Sequence, residues 1–487
     1  MGRSLPAYAA NAFARVLCAF SLLAMCAGRV GALDGEGAPA QPLDQKEKQA
    51  LVTRAGEMLA AQYVDPRRGR EAQAKITAAL DAGAYDGIAD PAAFAQRLTD
   101  DLVAALHDKH IFVSSALVPT PPDADLAGTI PLPTYGGFAR VDRLKGNIGY
   151  IRLLSFPAPA IFTPAADEAM RDVAGTDALI IDIRDNGGGS LESESYFASF
   201  FFDPQKPVRL NSVIQRAPGT FQFTWRWFWT RPVELPCPNT PVYILTSAQT
   251  FSAAEAFAYD LKAHGRAAIY GQTTGGAANP GEGRLLGSGF GIYIPTGHIV
   301  NPLTGTSWEG AGVAPDMPVD DKRAFQAAMR DILSRRAGLA AVKEKLALEP
   351  DVDPFVETHL LKVRTTPLPG SEAAIRRNIE DLARGTPNYR LMSKALAGTT
   401  RLQLPRLQHE LDMLGPIKSV RFQYVGSQGL DVFDVTMANG LLQYGIFVEP
   451  DGKIETGWIR PLPRAAPDQV ASGGAAAADK AQAGPPP

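Results

Sequence analysis

The sequence predicts an α/β protein, with a helical lobe ahead of the core and a smaller α+β unit behind it. Two unbroken apolar runs carry the core, Ala178-Leu179-Ile180-Ile181-Asp182-Ile183 and Val242-Tyr243-Ile244-Leu245. Runs of this length bounded by turn residues read as strands buried in a sheet. Each gives way to a polar or glycine-rich turn and then to a helical pattern. Further strands are expected at Gly146–Arg152, Ala268–Tyr270 and Phe290–Pro295, and a helix around Pro164–Ala174.

Bulk properties bound the rest. A chain of 487 residues is long enough for two or three domains with substantial cores. With 45% hydrophobic and 20% charged residues it has the make-up of an ordinary soluble protein. A net charge of -3 gives no reason to expect nucleic acid or an anionic membrane surface as a partner.

Residues 1–32 read as a secretory signal peptide. Arg3 and Arg15 precede the apolar run Val16–Met25, which is too short to span a bilayer, and Val30-Gly31-Ala32 suits cleavage after Ala32. The expected destination is the periplasm of a bacterium, or secretion, with no stable membrane insertion after processing. Leu23-Ala24-Met25-Cys26 resembles a lipobox only loosely, because Met25 is bulky. Of the three cysteines only Cys237 survives such processing, so no intramolecular disulfide is expected.

Residues 44–117 form the helical lobe. Leu51, Val52, Ala55, Met58, Leu59 and Tyr63 recur at helical spacing; Asp90 is a natural N-cap, with Pro91 at the first helical position. The lobe ends in Leu106-His107-Asp108-Lys109-His110, directly before the apolar run Ile111-Phe112-Val113. His110 is a boundary residue or a general base lent to the core. The pair His107/His110 has i, i+3 spacing, but no third metal ligand stands nearby and no HExxH occurs, so no metal is expected.

The core spans 118–349 and closes with a helix at about 322–348; a linker is expected at 350–370. Residues 371–463 form the α+β unit. Its helices at 373–384 and 404–414 precede strands at 420–424, 431–437, 441–448 and 454–459, and Asn439-Gly440 and Asp451-Gly452 mark hairpins. Helices on a curved antiparallel sheet suggest a cystatin-like or nuclear-transport-factor-like cone. Residues 464–487 are rich in Ala, Gly and Pro and read as a disordered tail.

Three segments of the core bear chemistry. Ser252 stands at a strand-to-helix turn, where nucleophilic serines occur, although Ser252-x-x-Glu255 is also a capping box. Gly187-Gly188-Gly189 follows the first buried strand and leaves backbone N–H groups open to an anion, without the pattern of a phosphate loop. Glu309 lies between Trp308 and Gly310 in a long loop. The alternation in Phe221–Trp229 places Phe221, Phe223, Trp225, Trp227 and Trp229 on one strand face, a stripe expected to be core or interface, or else a wall for apolar substrate groups.

Four ordered motifs make a resemblance: Asp182-Ile183-Arg184-x-Asn186-Gly187-Gly188-Gly189, Thr246-Ser247-x-x-Thr250-x-Ser252-Ala253-Ala254-Glu255, Thr274-Gly275-Gly276 and Trp308-Glu309-Gly310-x-Gly312-Val313-x-Pro315-Asp316. Over about residues 44–320 the chain resembles the serine peptidase family of tail-specific (C-terminal processing) proteases, the tricorn core and interphotoreceptor retinoid-binding protein. Only about thirty residues separate Ser114 from Asn147, too few for a PDZ domain, and Gln272–Asn279 contains no lysine for a Ser-Lys pair. The chain is therefore most similar to the tricorn and retinoid-binding-like branch.

That resemblance implies a crotonase-like core with Ser252 as nucleophile, His110 as base and Glu309 as the acid behind it. Lys109 replaces a serine that helps link histidine and glutamate in the tricorn core. The N–H groups of Ala253 and of Gly187 or Gly188 would form an oxyanion hole. The implied function is an exported serine endopeptidase acting on peptides or unfolded proteins, with no cofactor. The alternative is a non-catalytic carrier of apolar ligands on the same fold.

Overall fold

A computed structural model describes residues 42–115, 134–335, 352–361, 364–426 and 429–462. The expected signal peptide and tail lie outside the described residues, as does the later part of the helix expected at 322–348.

Three helices open the described chain: α1 (Gln45–Gln62), α2 (Pro66–Asp81) and α3 (Pro91–Leu106). The carboxylates of Asp44, Asp65 and Asp90 accept first-turn N–H groups, and proline sits at the start of α2 and α3. Val52, Ala55 and Leu59 of α1 meet Phe94, Leu98 and Leu102 of α3 in a buried cluster. α3 ends at His107, which holds a left-handed φ of 47° and turns the chain out of the helix. Strand β1 (Phe112–Ser114) follows.

The core then runs β2 (Phe138–Leu144), β3 (Ile148–Leu153), α4 (Pro159–Asp172), β4 (Ala178–Asp182), α5 (Leu191–Ser199), β5 (Arg209–Arg216), β6 (Phe223–Trp229), β7 (Val242–Thr246), α6 (Ala253–Ala263) and β8 (Ala267–Gly271). It continues with β9 (Gly281–Gly287), β10 (Phe290–Pro295), β11 (Gly297–Val300), β12 (Met317–Pro318), α7 (Asp321–Ser334) and β13 (Val356–His359). Seven strands make the central sheet in the order β12-β8-β7-β4-β3-β2-β13. The strands from β12 to β3 run parallel, and β2 and β13 add antiparallel at one edge.

Both faces of this sheet are covered, which is why its strands read as unbroken apolar runs. Leu179, Ile181 and Ile244 pack with α4, α5 and α6; Ile180, Tyr243 and Leu245 pack with Phe325 and Met329 of α7. β1 pairs with β10, joining the helical lobe to the core through a small sheet β1-β10-β9.

Two expectations need correction. The stretch 350–370 is not wholly a linker, because β13 pairs with β2 and His359 Nδ1 lies 2.8 Å from Asp142 Oδ1. Its partner strand is more than two hundred residues away, so local composition gave no sign of the pairing. The aromatic stripe is not core: β6 is the edge of the sheet β11-β5-β6, and Trp225 and Trp227 are 54% and 55% exposed. Phe228, from the other strand face, reaches the core instead.

The C-terminal unit comprises α8 (Ser371–Ala383), α9 (Lys394–Leu414), β14 (Ile417–Val425), β15 (Asp431–Met437), β16 (Leu441–Val448) and β17 (Ile454–Leu462). α9 begins well before the expected Leu404 and carries Pro405 inside it. The four strands form one antiparallel sheet in chain order. Ile375, Ile379 and Leu382 of α8 pack on Val435, Leu442 and Ile446. Buried Asp431 joins the unit to the preceding chain by accepting from Leu368 N–H, the Ser371 hydroxyl and the Arg364 guanidinium.

Between α5 and α6 lies a buried acid pair. Asp260 accepts from the amides of Asn211 and Asn301 at 2.6 and 2.9 Å, while Glu194 meets no hydrogen-bond partner among the described residues. Burial pushes both carboxyls up, Glu194 well above its ordinary range.

Two predictions follow from these contacts. Trp225→Ser and Trp227→Ser should each change stability by no more than about 0.5 kcal/mol, whereas Phe228→Ala should cost about 3 kcal/mol in chemical denaturation. A raised carboxyl stabilises the fold below the unfolded-state pKa and loses that contribution as pH rises through the folded value. The thermal midpoint of Glu194→Gln should therefore fall less between pH 5 and 8 than that of the wild type; equal slopes would show that Glu194 is not held protonated.

Candidate active site

β4 and β7 lie side by side and parallel, so the loops leaving their C-terminal ends meet. One loop carries Asn186-Gly187-Gly188-Gly189 and the other carries Ser252. They are stitched together: Phe251 N–H donates to Asn186 O at 3.0 Å, Thr250 Oγ1 to Ile183 O at 2.9 Å, and Ser247 Oγ to Arg184 O. Gly188 comes so close that a Cβ there would stand 2.8 Å from Ser252 Cβ and 2.9 Å from Ala253 N. Its φ of +103° is a second reason for glycine at that position.

Ser252 itself holds φ 53° and ψ −121°, a conformation rare for residues with a Cβ. Such strain persists only where surrounding bonds enforce it. Here the Glu255 carboxylate accepts from Ser252 N–H at 2.9 Å, from the Thr274 hydroxyl at 2.5 Å, and from the N–H groups of Gly276 and Ala277 at 2.6 and 2.9 Å. Burial pushes the Glu255 carboxyl up to about 7, against these four donors, which pull it down.

His110 arrives from the helical lobe, between the turn after α3 and the start of β1. Its Nε2 lies 3.1 Å from Ser252 Oγ, although the two residues are 142 positions apart. The imidazole is 3% exposed and packs against the ring of Phe251. Burial lowers its pKa to about 4, with Asp108 pulling the other way. The ring is therefore neutral near pH 7, the state a proton acceptor needs.

Glu309 reaches the same place from the loop after β11. Trp308 anchors that loop by donating from Nε1 to Ala277 O at 2.9 Å, and Glu309 Oε2 accepts from Ala278 N–H at 2.6 Å. Ligand atoms of Asp108, His110 and Glu309 lie within 4.8 Å of one another. Thus the three widely spaced side chains expected from the sequence converge, and Asp108, which sequence reasoning passed over, joins them. The trio also has the spacing to hold a cation. His107, the metal partner considered from sequence, is not part of it.

Among the expected oxyanion donors, Gly188 N–H is taken by Asn186 Oδ1 at 2.8 Å. The N–H groups of Gly187 and Ala253 have no such partner among the described residues. Lys109, which by resemblance stands where the tricorn core has a serine, donates to Gly275 O.

Gly188→Ala should therefore disrupt the centre. The left-handed backbone costs about 1–3 kcal/mol for a residue with a Cβ, and the added methyl must displace Ser252 or Ala253. Loss of labelling by a serine-directed probe, with a lowered unfolding midpoint, is the expected outcome; wild-type labelling would mean the glycine loop lies elsewhere.

Comparison with known proteins gives a consistent answer. Residues 147–319 match the model of peptidase family S41, and residues 45–134 match the N-terminal domain of peptidase S41 in eukaryotic IRBP. Carboxyl-terminal-processing peptidase 2, chloroplastic, of Arabidopsis thaliana is 29% identical over 192 residues, covering 38% of this chain and 35% of its own. The carboxyl-terminal-processing protease of Picosynechococcus sp. is 27% identical over 167 residues, covering 34% of this chain and 38% of its own. The chain thus spans little more than a third of the length of these curated relatives. Among solved structures, a photosystem II D1 C-terminal processing protease shows 18% identity and a TM-score of 0.37, covering 57% of this chain and 94% of its own. By these two matches, residues 45–134 and 147–319 of the chain are similar to peptidase family S41.

Proposed function

We propose that this protein is a serine endopeptidase that cleaves peptides or unfolded proteins through an acyl-enzyme. The observation that carries the reading is the 3.1 Å approach of a neutral, buried imidazole to the hydroxyl of a strained serine. His110 Nε2 takes the proton from Ser252 Oγ as the oxygen attacks the scissile carbonyl, then passes it to the leaving amine. Water then attacks the acyl carbon while His110 takes its proton, the bond to Ser252 Oγ breaks, and that proton returns to Oγ, which frees the acid product and the enzyme. The acid cluster beside the ring offsets the charge it gains.

The N–H groups of Ala253 and Gly187 are the donors for the tetrahedral oxyanion in this reading; losing one such donor typically costs about 3 kcal/mol in the barrier. We read the central sheet and its helices as a crotonase-like core, and the C-terminal unit as a cystatin-like or nuclear-transport-factor-like accessory cone. The N-terminal signal pattern supports export to the periplasm or beyond. Among the described residues no helix is long and apolar enough to cross a membrane.

A fluorophosphonate probe tests the reading. It should label the wild-type chain, while Ser252→Ala abolishes labelling and His110→Ala slows it by about a hundredfold or more, the scale of general-base assistance. Absence of labelling combined with tight binding of an apolar ligand would favour the carrier instead.

A further inference from the structure

Two carboxyl groups flank His110, and they are bonded very differently. Asp108 Oδ1 accepts from the N–H of His110 itself at 3.0 Å. Its Oδ2 accepts from the Tyr63 hydroxyl at 3.0 Å and from Asn279 Nδ2 at 2.9 Å. Asp108 is buried, and three donors converge on its two oxygens. Glu309 has one donor, Ala278 N–H on Oε2; its Oε1 is buried and meets no hydrogen-bond partner among the described residues. Three donors on one carboxyl are what an anion requires, while a carboxyl with a bare oxygen has room for a proton.

We propose that Asp108, rather than Glu309, carries the negative charge that balances the imidazolium of His110, and that it acts as the positioning residue of the site. The inference deepens the peptidase reading and rests on His110 being the base. Asp108 fixes the backbone of His110 through a two-residue turn, ties it to Tyr63 at the end of α1, and ties it to Asn279 in the core. One side chain thus secures the helical lobe to the core at the point where the base must meet the nucleophile. Glu309 holds the shared proton.

The surrounding charges agree with this division. Burial, and next the charge of Asp108, push Glu309 up to about 8, while Ala278 N–H and Arg68 of α2 pull it down and Glu255 of α6 adds to the rise. Burial first, and Asp108 after it, raise the phenols of Tyr63 and of Tyr293 on β10, while Asp108 pulls His110 upward against burial. Two anions in one buried pocket would repel, so a single proton between them is the economical state.

The test uses the full chain with nitrogen-15-labelled histidine. The His110 ring resonance, assigned with His110→Ala, is followed from pH 3.5 to 7. In the wild type it should titrate near the bottom of this range. Asp108→Asn should remove that titration from the range and slow fluorophosphonate labelling at least tenfold, whereas Glu309→Gln should leave the ring titration where it was. A Glu309→Gln chain whose His110 no longer titrates, or an Asp108→Asn chain that titrates as the wild type, would overturn the assignment. If Asp108→Asn fails to fold, Glu309→Gln alone decides between the two carboxyls. The ring measurement does not depend on turnover, so its failure is distinct from failure of the peptidase reading, which labelling of Ser252→Ala would reveal.

Discussion

The Glu255 carboxylate gathers four donors into one buried point: the N–H of Ser252, the hydroxyl of Thr274 and the N–H groups of Gly276 and Ala277. The first of these holds the strained backbone of the serine. The other three fix the loop that continues to Ala278, which holds Glu309, and to Asn279, which holds Asp108. A single acid on the first turn of α6 therefore sets the spacing between the hydroxyl and both carboxyls that flank the imidazole. A buried carboxylate is tolerated because each bond that organises the site also compensates its lost hydration.

The imidazole comes from outside this arrangement. The helical lobe delivers it across a boundary sealed by the pairing of β1 with β10 and by the hydrogen bonds that Tyr63 and Asn279 make to Asp108. Placing the base on a separate lobe makes the site sensitive to how the lobes dock, because a shift of about 1 Å is enough to spoil a hydrogen bond between reacting groups. Burial against Phe251 keeps the ring neutral, and it also makes a charged ring costly unless an anion stands beside it. The acid cluster answers that second requirement.

Much of the site was legible in the sequence because its local chemistry is local. A glycine run after an apolar strand and a serine opening a helix mark turns, and the resemblance of the ordered motifs to a peptidase family gave Ser252, His110 and Glu309 their roles. Asp108 was not legible: next to two histidines it looks like any loop acid, and its partners Tyr63 and Asn279 lie 45 and 171 positions away. The sheet β11-β5-β6 was missed as a unit, and with it the exposure of the aromatic stripe, because alternation reports that a strand has two faces without saying which one is covered.

Sequence alone determined the order of helical lobe, α/β core and α+β unit, through propensity, capping and periodicity, which act over a few residues. The roles of Ser252, His110 and Glu309 came from the resemblance of four ordered motifs to a peptidase family. The tertiary structure decided which backbone N–H groups are already spent, which of two carboxyls is saturated with donors, and that β13 completes the central sheet. These depend on hydrogen bonds between residues far apart in the chain, where burial makes every unpaired polar group costly and so selects one arrangement among many.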